Sequence, residues 1–173
     1  MAAHEQVAMF DLSTFGNIRI TGVDAESFLN RVCANDMTRD PGSVIYTAML
    51  DERGGFVSDL TVQRTGDEQY LLFVGTSAIR HDLAWLYKNL KPGERVQFHN
   101  DTDLLATLGL VGPSSIELMA SLGVDELNAL KYFQHGEFDL HGIKVRAAKL
   151  SYVGEYGWEL TCEVDHVSKL YDI

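Results

Sequence analysis

Two acidic residues stand where a carboxylate could do chemistry. Glu159 ends a dense stretch, residues 152–159 (YVGEYGWE), in which two glycines bracket a turn between two predicted strands. Strand alternation puts Glu159 on the face opposite Trp158 and Leu160. If that face points inward, the carboxylate needs a basic side chain or the N–H donors of a ligand. If it points outward, Glu159 is an ordinary strand acid, and the pattern leaves both interpretations open.

The second acid, Asp82, lies in residues 70–90, YLLFVGTSAIRHDLAWLYKNL. The spacing predicts a buried strand from Tyr70 to Val74, a break at Gly75, and a helix with Leu83, Leu86, Tyr87 and Leu90 on one apolar stripe. Thr76 or Ser77 is expected to cap that helix through its hydroxyl. Asp82 falls early in the helix and off the stripe, where the helix dipole favours a carboxylate. It is therefore either a solvated helix-start acid or a group that faces whatever lies against the end of the strand.

Other common sites are not indicated. The sequence has no G-x-S-x-G, no Walker loop, no H-E-x-x-H and no C-x-x-C. Its six histidines show no metal-ligand spacing, so no metal site is expected. Cys33 and Cys162 are interpreted as small reduced core residues, which fits a reducing compartment such as the cytoplasm.

Composition narrows the classes of partner. The 173 residues are 46% hydrophobic and 23% charged, so we expect a folded domain with a core. The formal net charge of -11 argues against a surface that tracks nucleic-acid phosphates. No apolar run approaches the roughly 20 residues of a membrane helix, and the start of the chain lacks the pattern of a signal peptide.

The predicted elements give an α+β fold with mostly antiparallel sheets and flanking helices. Residues 43–50 and 56–64 are predicted to form a hairpin through the loop DERGG. In its return strand, Ser58, Leu60 and Val62 share one face. Asp24 is expected to cap a helix whose apolar face includes Phe28 and Leu29, and 95–98 is predicted to be a short strand. The final helix stops at Ile173 without a cap, so we expect the chain to be part of a longer protein.

Five stretches together resemble the aminomethyltransferase family, which has the tetrahydrofolate-binding fold of the glycine-cleavage T-protein. They occur in the family's order and cover most of the chain from Phe10 onward: FDLSTFGNIRITGVDAESFLNRVCAND, PGSVIYTAMLDERGGFVSDLTVQR, YLLFVGTSAIRHDLAWL, LGLVGPSS and LSYVGEYGWEL. The sequences GTSAIRHDLAWL and SYVGEYGWEL resemble the folate-binding C-terminal region of sarcosine and dimethylglycine dehydrogenases more than the free T-protein. In T-proteins the strand before the helix usually ends Val-Asn-Ala, whereas here Val74 is followed by Gly75 and Thr76.

The resemblance implies roles for individual residues. The family's acid in the helix after that strand falls on Asp82, which would position the one-carbon donor and act as general base near the folate nitrogens. The acid of the Gly-Glu-x-Gly-x-Glu turn falls on Glu159, whose two oxygens match two N–H donors of a pterin edge. Tyr152 would be a wall of the folate pocket. Asp59 and Tyr46 are also expected near that pocket.

The implied fold is an incomplete aminomethyltransferase folate-binding fold. Residues 1–40 plus 121–173 would form a first, split subdomain, and residues 41–120 an inserted ferredoxin-like α+β subdomain. The family's fold continues well beyond position 173, with further arginines for the folate tail and a C-terminal β-domain. The resemblance thus leaves open whether this chain is active alone.

The implied reaction passes a one-carbon unit from an N-methyl amine to tetrahydrofolate. FAD would be needed only in a preceding flavin domain or subunit, which this chain does not resemble. The implied partners are a folate and a methylated amine, and binding to nucleic acid or to a membrane is not expected. The implied location is the cytoplasm or, in a eukaryote, the mitochondrial matrix. Three alternatives remain: a free-standing T-protein that acts on a lipoyl-bound aminomethyl group, a non-catalytic folate-binding relative, and a fragment that binds nothing. The iron–sulfur assembly branch has Cys and Gln near the turn, where this chain has neither.

Overall fold

The structure, a computed structural model, describes residues 2–124 and 126–173. Its ten strands are β1 (Ala8–Asp11), β2 (Gly16–Thr21), β3 (Val44–Leu50), β4 (Phe56–Gly66), β5 (Gln69–Val74), β6 (Gln97–Asn100), β7 (Leu105–Val111), β8 (Gln134–Leu140), β9 (Ile143–Lys149) and β10 (Gly157–Glu163). Its helices are α1 (Ala2–Glu5), α2 (Ala25–Val32), α3 (Ile79–Asn89), α4 (Ser115–Ser121), α5 (Glu126–Ala129) and α6 (Val167–Tyr171), the last preceded by a short 3-10 turn. The strand pairs of both sheets are antiparallel, which confirms the predicted α+β class.

The chain divides into two compact units. The inserted unit is Thr14–Thr102, and the split unit combines the segment that ends at Ser13 with Asp103–Ile173. These boundaries differ from the expected subdomain limits at residues 40 and 120. The first limit differs because β2 lies between β5 and β6 and so belongs to the inserted unit. The second differs because β7 pairs with β1 and β10 and so belongs to the split unit. The ferredoxin-like description of that unit stays a prediction.

The inserted unit has one five-stranded sheet in the order β3-β4-β5-β2-β6. Helices α2 and α3 contribute to the core on one face of this sheet, where Phe28, Leu29 and Leu86 are fully buried among the strand residues. The apolar face predicted for α2 is therefore confirmed. In α3, Leu83 and Leu90 pack against the same core as predicted, whereas Tyr87 is 57% exposed and meets Phe98 edge to face.

The predicted hairpin between β3 and β4 is also confirmed. Its loop is held by Asp51, whose Oδ1 accepts hydrogen bonds from the backbone N–H groups of Arg53 and Gly55. This is the local bonding that makes Asp a frequent turn residue. In β4, Ser58, Leu60 and Val62 are all buried, so the predicted alternation of that strand is confirmed.

The turn after β2 depends on glycine. Gly22 has φ +131°, and a Cβ at this position would lie 2.0 Å from the carbonyl oxygen of Arg95. The neighbouring Asp24 stands at the start of α2 but makes no capping hydrogen bond. Its Oδ2 instead accepts the backbone N–H of Arg95, at 2.8 Å. The predicted cap by Asp24 was therefore wrong, and the carboxylate ties two loops together. The predicted strand at 95–98 begins only at Gln97.

The split unit has a second five-stranded sheet, in the order β1-β7-β10-β9-β8. One face packs with α4, α5 and α6 in a core that includes Leu108, Trp158, Leu160 and Cys162. The cysteines of the chain, Cys33 and Cys162, are free and buried as predicted. No helix within residues 2–124 and 126–173 is long and apolar enough to cross a membrane.

Candidate functional site

Asp82 is completely buried in the first turns of α3. The helix begins at Ile79, after a turn through residues 75–78, and neither hydroxyl of that turn caps it. The expected cap by Thr76 or Ser77 was thus wrong. Asp82 and Leu86 are four residues apart and both have 0% exposure, because positions i and i+4 share one side of a helix. The interpretation of Asp82 as a solvated helix-start acid was therefore also wrong.

Two side chains hold the Asp82 carboxylate, one on each oxygen. The Ser58 hydroxyl donates to Oδ2 at 2.8 Å. The ring Nδ1 of His81 lies 2.9 Å from Oδ1. A buried carboxylate without hydrogen-bond partners lowers the stability of the fold, and here each carboxylate oxygen has one partner. The side chain of His81 is itself 60% exposed, so this buried acid has a direct neighbour at the surface.

Glu159 is a partly buried carboxylate that faces away from the core of the split unit. Its neighbours in β10, Trp158 and Leu160, point into that core, which confirms the predicted alternation. Within β7 and β9, the residues directly beside Glu159 are Gly109 and Ala148, which offer no polar group. Glu159 has no hydrogen-bond or ion-pair partner among the residues that the structure describes. Burial alone raises the pKa of Glu159 to about 7.

Tyr152 lies in the connection between β9 and β10 and is 96% exposed. It forms no pocket wall in the chain as it stands, and its role toward a ligand stays a prediction. Tyr46 and Asp59 meet on the inserted unit, where the tyrosine hydroxyl donates to Asp59 Oδ2 at 2.8 Å. Together with Phe56 they line an open depression of about 380 Å³.

The predicted residues thus fall into separate groups. Asp82, Tyr46 and Asp59 belong to the inserted unit, and Glu159 and Tyr152 belong to the split unit. Of these five, only Tyr46 and Asp59 are hydrogen-bonded to each other. Within the described residues, no group of three or more His, Cys, Asp or Glu side chains is placed to hold a metal ion.

Ser58 and His81 are the members of the site that sequence reasoning missed. A signal for each was nevertheless present. Ser58 is a polar residue on a strand face that also carries Leu60 and Val62, and a hydroxyl on a buried face usually has a partner. His81 directly precedes the acid in the sequence, but only the helix geometry turns its Nδ1 toward Asp82.

The sequence profile of the GCVT N-terminal domain family matches residues 1–173. The chain belongs to this family. Its relatives include aminomethyltransferases from Bacillus subtilis, 35% identical over 172 residues, and from Lysinibacillus sphaericus, 34% identical over 172 residues. Each alignment covers 98% of this chain and 47% of the relative. The chain therefore spans about half the length of these curated members of the family.

Two solved structures share the fold. The glycine cleavage system aminomethyltransferase T from Bartonella henselae superposes with a TM-score of 0.86 at 24% identity, over 98% of this chain and 45% of that one. A chain of the heterotetrameric sarcosine oxidase from Corynebacterium sp. U-96, in complex with pyrrole 2-carboxylate, superposes with a TM-score of 0.68 at 15% identity. That match covers 96% of this chain and 83% of the sarcosine oxidase chain. The mixed fold of two antiparallel sheets is thus the fold of about half an aminomethyltransferase.

Proposed function

We propose that this GCVT N-terminal domain is the part of a tetrahydrofolate-dependent enzyme that transfers a one-carbon unit from an amine to the folate. The observation that carries the proposal is the unpartnered carboxylate of Glu159. A chain that only needed to fold would gain stability by replacing or pairing such a group, because burial penalises its charged form. An acid retained in that state is suited to a ligand that supplies the missing donors.

The surroundings of Glu159 fit a flat ligand edge with adjacent N–H groups. The two carboxylate oxygens can accept two parallel hydrogen bonds, which is the pattern that a pterin edge offers. The flanking residues, Gly109 and Ala148, place no polar side chain beside the carboxylate, and the apolar side chain of Leu12 covers Gly109. The role assigned to Glu159 is therefore recognition of the folate ring. Tyr152, which is 96% exposed, is proposed to form an aromatic wall against the ligand.

Asp82 is proposed to supply the negative charge that favours a cationic amine or iminium donor. Because its side chain is wholly buried, this charge acts through the hydrogen-bonded neighbours Ser58 and His81. Charges interact more strongly where water is excluded, so a buried carboxylate retains its influence at its surface neighbour. Asp59 and Tyr46 are kept as candidate contacts for the same ligands.

Two amine donors remain candidates, each with its own support. The relatives at 34–35% identity are aminomethyltransferases, which favours an aminomethyl donor carried by a lipoyl protein, as in a free-standing T-protein. The sarcosine oxidase chain is covered to 83%, which favours an N-methyl amine as donor, with the FAD that oxidises it held by another domain or subunit. Sarcosine and dimethylglycine are the first such amines to assay. Transfer from either amine with a flavin partner, or from an aminomethyl-lipoyl protein without one, distinguishes the two.

Calorimetry with tetrahydrofolate tests the proposal, on this chain and on the full-length gene product. Ligand N–H donors favour the ionised form of Glu159, so binding at pH 6 should release close to one proton, and binding at pH 8.5 almost none. Titration in two buffers of different ionisation enthalpy measures that proton. Glu159→Gln should weaken binding by about 2 kcal/mol, roughly 30-fold. The matched control is Glu163→Gln on the same strand, at an exposed position. Absence of binding by both proteins would refute the proposal.

A further inference from the structure

The neighbours of Asp82 differ in their access to solvent. Ser58 is 8% exposed and lies on the core side of β4. The side chain of His81 is 60% exposed, although its Nδ1 lies within hydrogen-bond distance of the carboxylate. Among the described residues, Nε2 of His81 has no hydrogen-bond partner. The imidazole therefore joins a carboxylate that water cannot reach to the outside of the inserted unit.

The contact with Asp82 decides which ring nitrogen carries the proton. An ionised carboxylate can only accept hydrogen bonds, so Nδ1 must be the donor. In the neutral ring, Nε2 is then left with its lone pair. A buried Asp that fixes an exposed imidazole in this form is the arrangement by which catalytic dyads present a base. Ser58 completes it, because its hydrogen bond to the second oxygen keeps the carboxylate from rotating away from the ring.

We propose that Nε2 of His81 is the general base of the transfer reaction, with Asp82 as its positioning residue. This inference rests on the proposed function and changes where in the site the proton goes. Asp82, at 0% exposure, is not placed to contact a substrate, whereas His81 is. In the step, the nucleophilic nitrogen forms a bond to the carbon of the iminium donor, and the C=N π pair of the donor moves onto the donor nitrogen. The N–H bond of the nucleophile breaks, and its proton forms a bond to Nε2. The charge of the resulting imidazolium is balanced by Asp82, and the proton then leaves Nε2 for solvent.

The first test needs no activity. Nitrogen-15 NMR of the imidazole in the wild-type chain should show the Nδ1–H tautomer of neutral His81. Ser58→Ala should keep that tautomer, because the contact between His81 and Oδ1 remains. Asp82→Ala should lose the fixed tautomer. The Nε2–H tautomer in the wild-type chain would overturn the proposal, and if Asp82→Ala does not fold, the other two spectra decide.

The second test uses the complete enzyme and its amine donor. His81→Ala should lower kcat by about 100-fold or more, the usual contribution of a general base. Added imidazole should restore part of that rate. His81→Asn keeps a donor for Asp82 but has no base, so it should be as slow as His81→Ala. Arg80→Ala, an exposed neighbour on the same turn, is the matched control and should retain the wild-type rate.

The outcomes separate this inference from the proposed function. Wild-type turnover by His81→Ala would overturn the role of His81 and leave folate-dependent transfer standing. Wild-type turnover by His81→Asn together with a slow His81→Ala would also overturn it, because the ring would then serve only to orient Asp82. An Nδ1–H tautomer in a protein that neither binds tetrahydrofolate nor transfers a one-carbon unit would overturn the proposed function and, with it, the catalytic role of His81.

Discussion

Replacing Glu159 by glutamine should make the protein more stable, in a way that depends on pH. Burial raises the pKa of Glu159 from an ordinary 4.5 to about 7 in the folded chain. Below pH 4.5 the carboxyl group of Glu159 is protonated in both the folded and unfolded states, so its ionisation does not lower the free energy of unfolding. As the pH rises toward 7, the unfolded chain ionises first and folding loses stability, and above pH 7 the loss is complete. The shift corresponds to a penalty of about 3 kcal/mol at pH 8.

Part of that penalty remains in the variant, because the glutamine amide is also buried without a partner. We therefore expect Glu159→Gln to raise the free energy of unfolding by about 1–3 kcal/mol at pH 8, and by less than about 0.5 kcal/mol at pH 4.5. Urea denaturation at the two pH values measures both numbers. Glu163→Gln removes the same charge from an exposed position of β10 and controls for net charge.

The reasoning would be refuted if Glu159→Gln and wild type had equal stability at pH 8. It would also be refuted by a variant that is stabilised equally at both pH values, because that result would have no link to ionisation of Glu159. A gain in stability at pH 8 together with the loss of folate affinity would identify Glu159 as an acid kept for binding at the expense of the fold.

Three further substitutions have expected outcomes that follow from the structure. Asp82→Ala should abolish transfer and also lower the free energy of unfolding by about 1–3 kcal/mol in urea denaturation. The substitution leaves the buried Ser58 hydroxyl with only a long contact to the Asp59 carbonyl, at 3.5 Å. An unchanged stability would contradict the observed burial. Arg64→Ala should cost about 3 kcal/mol or more, because the buried guanidinium bonds Glu26 and several backbone carbonyls; a loss below 1 kcal/mol would show that these bonds contribute little. Gly22→Ala should lower Tm by several degrees, since its Cβ would meet a backbone carbonyl at positive φ; an unchanged Tm would mean that the turn can rearrange.

Much of the fold follows from local pattern. The loop sequence Asp-Glu-Arg-Gly-Gly correctly predicts the hairpin between β3 and β4. The alternation of residues in β4 and β10 correctly predicts the faces on which Ser58 and Glu159 lie. These predictions succeed because strand faces are set by a period of two residues, which is visible in a short stretch of sequence.

The features that failed depend on contacts between residues far apart in the chain. One partner of Asp82, Ser58, lies 24 residues earlier on strand β4, so no helical periodicity could predict that the acid is buried. The expected cap at Asp24 failed because its carboxylate bonds the backbone of Arg95, 71 residues later. The compact units also depend on such contacts, since the pairing of β2 with β5 and β6 places β2 in the inserted unit.

The inserted unit has an effect on the order in which the protein can fold as it is synthesised. Its two ends are joined by hydrogen bonds, since the Asp101 N–H donates to the Asn17 carbonyl and the Asn17 N–H donates to Thr102 Oγ1. All of its strands precede β7 in the sequence and are therefore synthesised, and leave the ribosome, before it. The strand β1, by contrast, pairs only with β7 in its sheet and must wait for it. We therefore expect the nascent chain to fold from its middle outward, with Thr14–Thr102 complete while the first residues are still without a partner strand.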